Sequence, residues 1–200
     1  MARLSFSKAS LHRQSAALKR YRQYLPSLDL KRKQLIAERA KAAERLATID
    51  SAMQNLRQRV AEQLPMLSDE AVDLAQLVRI DAVVFEEINV VGVHLPAVRD
   101  VKLVTSSYSF MTKPHWVDQT VRLWSEMLEL RVRRQTAQQQ WQLLDHAVKK
   151  VTQRVNLFDK VLIPRTRDNI RRISIFLSDA ERAGVVRAKI TKHKSAHKGG

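Results

Sequence analysis

The residues able to do chemistry are few and poorly spaced for it. Glycine occurs only as Gly92, Gly184, Gly199 and Gly200. That spacing cannot build a phosphate-cradling loop of the G-x-x-x-x-G-K-[ST] or G-x-G-x-x-G kind. Cysteine is absent, so no thiolate metal site, disulfide or cysteine nucleophile exists, and a reducing compartment is permitted. Asp145 and His146 come nearest to an acid–base pair, but adjacent residues of a helix point in different directions. His193 and His197 share a helix face at i, i+4; without a neighbouring carboxylate or thiol, a frayed basic end is the expected reading. The sequence therefore predicts no catalytic residue, no cofactor, no metal site and no direct nucleotide binding.

Long helices are the dominant expectation. Four glycines and five prolines punctuate 200 residues, and aromatic residues make up only 6%, a profile that disfavours a large globular core. From residue 148 the apolar side chains recur every seven: Val148, Val155 and Leu162 in one row, Val151 and Phe158 in the next. Backwards the rows continue through Trp141 and Met127, and through Leu144, Ala137 and Leu130, with Arg134 as a charged intruder. This is a coiled-coil seam. Beyond Leu162 the stripe moves over by one residue to Ile163, Ile170 and Leu177, with Ile173 beside them. Pro164 sits at the shift and predicts a kink or stutter, not the end of the helix.

The first arm repeats the pattern. Leu11, Leu18, Leu25, Leu46, Met53 and Val60 form one row, interrupted by Arg32 and Arg39; Tyr21, Leu28, Leu35, Ala42, Ile49 and Leu56 form the other. A helix from Ser7 to Leu64 would be about 85 Å long and needs a partner over most of its length. The second arm is the only one comparable, and a reversal between them makes the pairing antiparallel. The stems of Arg32 and Arg39 would cover the seam while their guanidinium groups reach water; the alternative is a locally weak seam that twists or bends, helped by Pro26.

Between the arms the period changes. Ser68-Asp69-Glu70 ahead of Ala71, Val72 and Leu74 reads as a short capped helix. Val78 to Glu87 and Ile88 to Leu95 read as strands, with a third extended piece from Val101 to Phe110 completing a hairpin or three-stranded patch. The second long helix starts near Trp116, after Pro114. The organisation is thus an N-terminal shaft helix over 1–64, a central knob over 65–114 and a C-terminal helix with basic tail over 115–200. The fold class is mainly α: an antiparallel two-helix coiled coil with a small β-hairpin-containing knob.

The net charge of +16 divides as +9 over 1–62, −3 over 63–114 and +10 over 115–200. Two basic arms flank a mildly acidic middle, which suits either phosphates or an acidic protein sleeve. No stretch approaches the ~18 apolar residues of a membrane span, and MARLSFSKASLHRQ lacks the apolar block of a secretory signal.

Specific segments resemble a known family. Arg154-Val155-Asn156, Ile163-Pro164, Ile170, Ile173, then Leu177-Ser178-Asp179-Ala180-Glu181-Arg182 and a lysine-rich end are similar, without gaps, to the C-terminal helix of the D subunit of V-type (A/V-type) rotary ATPases. Asn89-Val90-Val91-Gly92-Val93-His94-Leu95-Pro96 resembles the N-x-x-G-V-x-x-P of that family's knob. Leu28 to Leu35, and Ser7-Lys8 followed by Leu11, resemble its first helix. Leu157-Phe158-Asp159 and Gln34 depart from the usual pattern. The resemblance implies a non-catalytic central-stalk subunit, coupling a hexamer of catalytic A and non-catalytic B subunits to the ion-translocating ring. Its implied partners are those two, the F subunit and the funnel-shaped subunit on the membrane ring, with a peripheral place on the cytoplasmic side.

The expected pairing residues are Leu28, Leu35, Ile49, Leu56, Leu144, Val148, Val151, Val155, Phe158 and Leu162. Candidate partner contacts are Lys31, Arg32, Lys33, Arg154, Arg165, Arg171 and Arg172; for the first three a solvated helix face is an equal reading. Two rivals stand beside this reading. A basic coiled-coil nucleic-acid binder has the charge but lacks aromatic–basic interleaving or a zinc pattern. The stalk of an export ATPase would be a nearly pure helical hairpin, at odds with strands in the middle.

Overall fold

A computed structural model describes residues 4–65, 77–105 and 116–198, with 193–198 as backbone only. The capped helix expected over 68–77 and the extended residues 106–110 fall outside the described residues, apart from Leu77. So do the side chains of His193 and His197. In chain order the elements are α1 (Lys8–Gln63), β1 (Val78–Val90), β2 (Val93–Thr105) and α2 (Trp116–Asn156), then a π-helical turn (Leu157–Leu162) and α3 (Ile163–Lys198). The chain is mainly α, long antiparallel helices with a two-stranded hairpin between them in sequence. It divides into two compact units, residues 1–32 with 150–200, and residues 33–149.

In the second unit, partner numbers fall along α2 as they rise along α1. Arg39 meets Asp145, Asp50 meets Arg134, Arg59 meets Glu126 and Gln63 meets Gln119. The helices are antiparallel, and the heptad rows face each other. Leu35 and Leu56 are wholly buried, with Ala42 and Met53 beside them on α1 and Leu123, Ala137, Leu144 and Val148 on α2. Burying one leucine contributes about 2 kcal/mol. An exposed ion pair such as Arg59–Glu126 contributes less than about 1 kcal/mol. The seam therefore sets the register and the ion pairs decorate it.

The hairpin corrects two expectations. Val78 to Val90 is one strand, with no break at Glu87, and the piece beginning at Val101 is the end of β2, so the described sheet has two strands. Asp81 is an extra residue on β1 and Arg99 an extra one on β2. Each bulge reverses which face the following side chains of its own strand take, so neither strand alternates strictly. At the turn, Val91 and Gly92 both have positive φ, 54° and 76°, as a two-residue type I′ loop requires. The Asn89 Oδ1 accepts the Gly92 N–H at 2.8 Å. Valine is a poor resident of that conformation, because its β-branch crowds the backbone. Leu77 and Val78 bury against Val117 at the start of α2, and the Gln140 amide donates to the Pro96 carbonyl at 2.6 Å.

In the first unit, α1 and the residues just before it meet α3 and the π turn through Phe6 with Phe176, Lys8 with Glu181, and Tyr21 edge-on to Phe158. The expected shift at Pro164 is real, and the helix continues through it. The Ile163 N–H bonds to the Phe158 carbonyl, five residues back, which accommodates one more residue than an α turn. Burial accordingly passes from Val155 to Ile163, eight residues on, then to Thr166 and Ile173, while Leu162 is half-buried.

Asp145 locks the seam of the second unit from its flank. Its carboxylate accepts from Arg39 across the seam at 2.9 Å and from Lys149, one turn on, at 2.7 Å. The Lys149 hydrogen bond foremost, then that of Arg39, holds its pKa below the usual carboxylate value. Arg39 thus pairs its head across the seam, while Arg32 pairs with Asp29 on its own helix.

Two outcomes are expected. Replacing Val91 with asparagine, which tolerates positive φ, should stabilise the hairpin by about 1 kcal/mol, read as a higher midpoint in urea denaturation; a lower midpoint would mean the valine side chain is anchored. Because the carboxylate of Asp145 ionises more readily in the folded chain, its contribution is complete above the unfolded carboxylate pKa and lost as pH falls through the lower folded value. Asp145→Asn should therefore lower the melting temperature at pH 7, with the gap to the native chain closing at acid pH. A gap independent of pH would assign the effect to packing.

Candidate interaction surfaces

Among the described residues no group of three or more His, Cys, Asp or Glu is arranged to hold a metal ion. Asp145, half of the nearest acid–base pair in sequence, is turned to Arg39 and Lys149. What the fold offers is surface, and each expected residue has a definite place on it. Of the pairing residues, Leu35, Leu56, Leu144, Val148, Val151 and Val155 are buried; Leu28, Ile49, Phe158 and Leu162 are half-buried. Both groups follow from helical periodicity, which turns every third or fourth residue towards the partner.

The expected contact residues lie outside the seam. Arg154, Arg165, Arg171 and Arg172 are exposed on the outer faces of α2 and α3, and Lys33 is exposed on α1. Lys31 and Arg32 are half-buried, and Arg32 is held by Asp29. A narrow apolar stripe leaves the rest of each helix to solvent, so the four outer arginines point where a partner can reach them. In the first unit Lys8–Glu181 and Arg32–Asp29 are among the few ion pairs.

The second unit adds a feature that residue spacing did not single out. Between α1 and α2 runs an open groove of about 1570 Å³. Met53, Val60, Leu64, Leu77, Leu123 and Met127 supply its apolar lining, with Arg57, Arg131 and Arg134 at the edges. Trp124 lines it too and is 48% exposed, unusual for so large an apolar ring. Arg134 is engaged by Asp50. An apolar floor bordered by arginines fits an amphipathic element with acidic flanks. The sequence signal for it was Trp116 and Trp124, two tryptophans eight residues apart and so on nearly one face of α2, only one of which the seam can cover. On the hairpin, Ile80, Val84, Phe85 and Ile88 are exposed on β1.

Comparison with known proteins finds likeness over nearly the whole chain. The profile of the ATP synthase D-subunit family matches residues 10–193. A V-type ATP synthase D subunit of Borreliella burgdorferi is 30% identical over 96% of this chain and 95% of its own length. Those of Chlamydia abortus and Chlamydia muridarum are each 32% identical over 96% of this chain, covering 94% and 96% of their own lengths. The chain belongs to the family of V-type ATP synthase D subunits.

Proposed function

We propose that this chain is the central-stalk rotor subunit of a V-type ion-translocating ATPase, carrying rotation between a catalytic A/B hexamer and the membrane rotor ring. Family membership along the chain supports this, but the single physical observation behind it is the antiparallel helical pair with its apolar residues inward and its arginines outward. Paired helices resist twisting better than a single helix because both must deform together. The chain itself contributes no chemistry; hydrolysis belongs to the subunits around it. The outer cations, Arg154, Arg165, Arg171 and Arg172 among them, present each of three catalytic interfaces with a different contact set at any instant. Nucleotide state then biases which orientation is favoured, and linkage makes the coupling reciprocal.

The groove beside Trp124 suits the smaller stalk partner, the F subunit, while the lower part of the stalk meets the funnel-shaped subunit of the membrane ring. No helix among the described residues is long and apolar enough to cross a membrane. Membership of the D-subunit family supports a peripheral place in the complex, on the cytoplasmic side and held by those partners.

Reconstitution tests the reading. The tagged chain mixed with A, B and F subunits of the same source should be recovered in one complex at moderate salt; recovery of RNA without those subunits would favour the nucleic-acid rival instead. Leu144→Asp, which places a charge in the seam, should lower the melting temperature of the chain and abolish ion pumping while the A/B assembly keeps hydrolysing ATP. An unchanged melt would refute the pairing register, and retained pumping the rotor role. Met127→Glu in the groove should weaken capture of the F subunit at least about tenfold; unchanged capture places that partner elsewhere.

A further inference from the structure

Two backbone defects meet at one level of the first unit. Pro26 lies inside α1; it has no N–H to give the Arg22 carbonyl four residues back, and its ring crowds that carbonyl. Across the pair, Leu157–Leu162 is wound as π-helix, and Pro164 follows it, unable to donate to the Lys160 carbonyl. The two interruptions are tied together by one contact. Tyr21, the residue before Arg22, sets its ring edge-on against Phe158, centroids 5.4 Å apart, and the Phe158 carbonyl is the one that takes the five-residue bond from Ile163. Along the pair the defects therefore fall within about one helical turn of each other.

Packing is thin at the same level. From Leu11 to Arg32 no residue of α1 is buried, and none is buried from Asn156 to Leu162. Tyr24, Leu157 and Val161 are 54%, 47% and 48% exposed. On the returning helix burial resumes only at Val155 on one side and Ile163 on the other. A helix bends or rewinds where its hydrogen-bond ladder is already broken, because less must be given up there. A π turn in particular can hand its extra residue to a neighbouring turn by exchanging one five-residue bond for a four-residue one.

We propose that Tyr21–Pro26 and Leu157–Pro164 form a twist joint, a level at which the two helices rewind about each other more easily than elsewhere along the pair. Both helices yield at the same height, so the pair turns there without shearing its seam. In a rotor such a joint would hold elastic twist between steps; that use rests on the rotor reading, and the joint itself does not.

Hydrogen–deuterium exchange on the full-length chain reads it directly. Amides of residues 20–30 and 156–166 should exchange at least about tenfold faster than those of 42–56. A variant carrying Pro26→Ala and lacking Val161 restores the missing donor and shortens the interval from Val155 to Ile163 from eight residues to seven. It should slow exchange about tenfold in both segments and leave 42–56 unchanged. Equally slow exchange in all three segments of the native chain, or no slowing in the variant, overturns the joint. Should the deletion prevent folding, Pro26→Ala alone decides: slowing at 156–166 as well as at 20–30 supports coupled yielding, and slowing confined to 20–30 overturns it. The measurement needs no other subunit, so loss of the rotor reading would leave it standing.

Discussion

Burial of one apolar stripe against another is the constraint from which the rest follows. A helix of 56 residues gains little from its own hydrogen bonds in water, where the solvent offers the same bonds, and most of its stability must come from packing an apolar face. In this chain that face is narrow. Leu35, Ala42, Leu144, Val148, Val151 and Val155 supply it at intervals of three, four and seven. A narrow seam leaves most of the surface of each described helix outside it.

Charge is arranged to agree with this. The arms carry all of the excess positive charge, the middle being mildly acidic, and the seam pushes it outward. Where a cation does stand at a seam position its head is paired, as Arg39 with Asp145. Arginines on the outer faces of α2 and α3 stand exposed to solvent. Folding by a stripe thus leaves the remaining surface free of that task.

The departures from regularity lie where backbone chemistry forces them. Pro164 cannot continue an α-helical ladder, and the chain absorbs it with a π turn that moves the stripe by one residue while keeping it facing inward. On the hairpin, paired bulges at Asp81 and Arg99 restore equal strand lengths after each has reversed the faces. Val91 sits at positive φ because a two-residue loop closing these strands needs it there, whatever its side chain prefers. In each case a global requirement, seam or pairing, has overruled a local preference.

By itself the sequence determined the periodic features: both long helices, the rows that face each other, the antiparallel return and the shift at Pro164. All of these are local repeats or single-residue prohibitions, visible without knowing what lies opposite. Only the tertiary structure decided what depends on an opposite partner. It merged Val78 to Val90 into one strand, because bulges are defined by the residue across the ladder and leave no mark of their own in the chain. It made Asp145 a clamp between Arg39 and Lys149, since a carboxylate takes its role from whichever donors the fold brings within about 3 Å. It left Trp124 beside an open groove, because the seam has room to cover some apolar residues of α2 and not others. Periodicity is written in one helix, but a groove or an ion pair across the seam belongs to two.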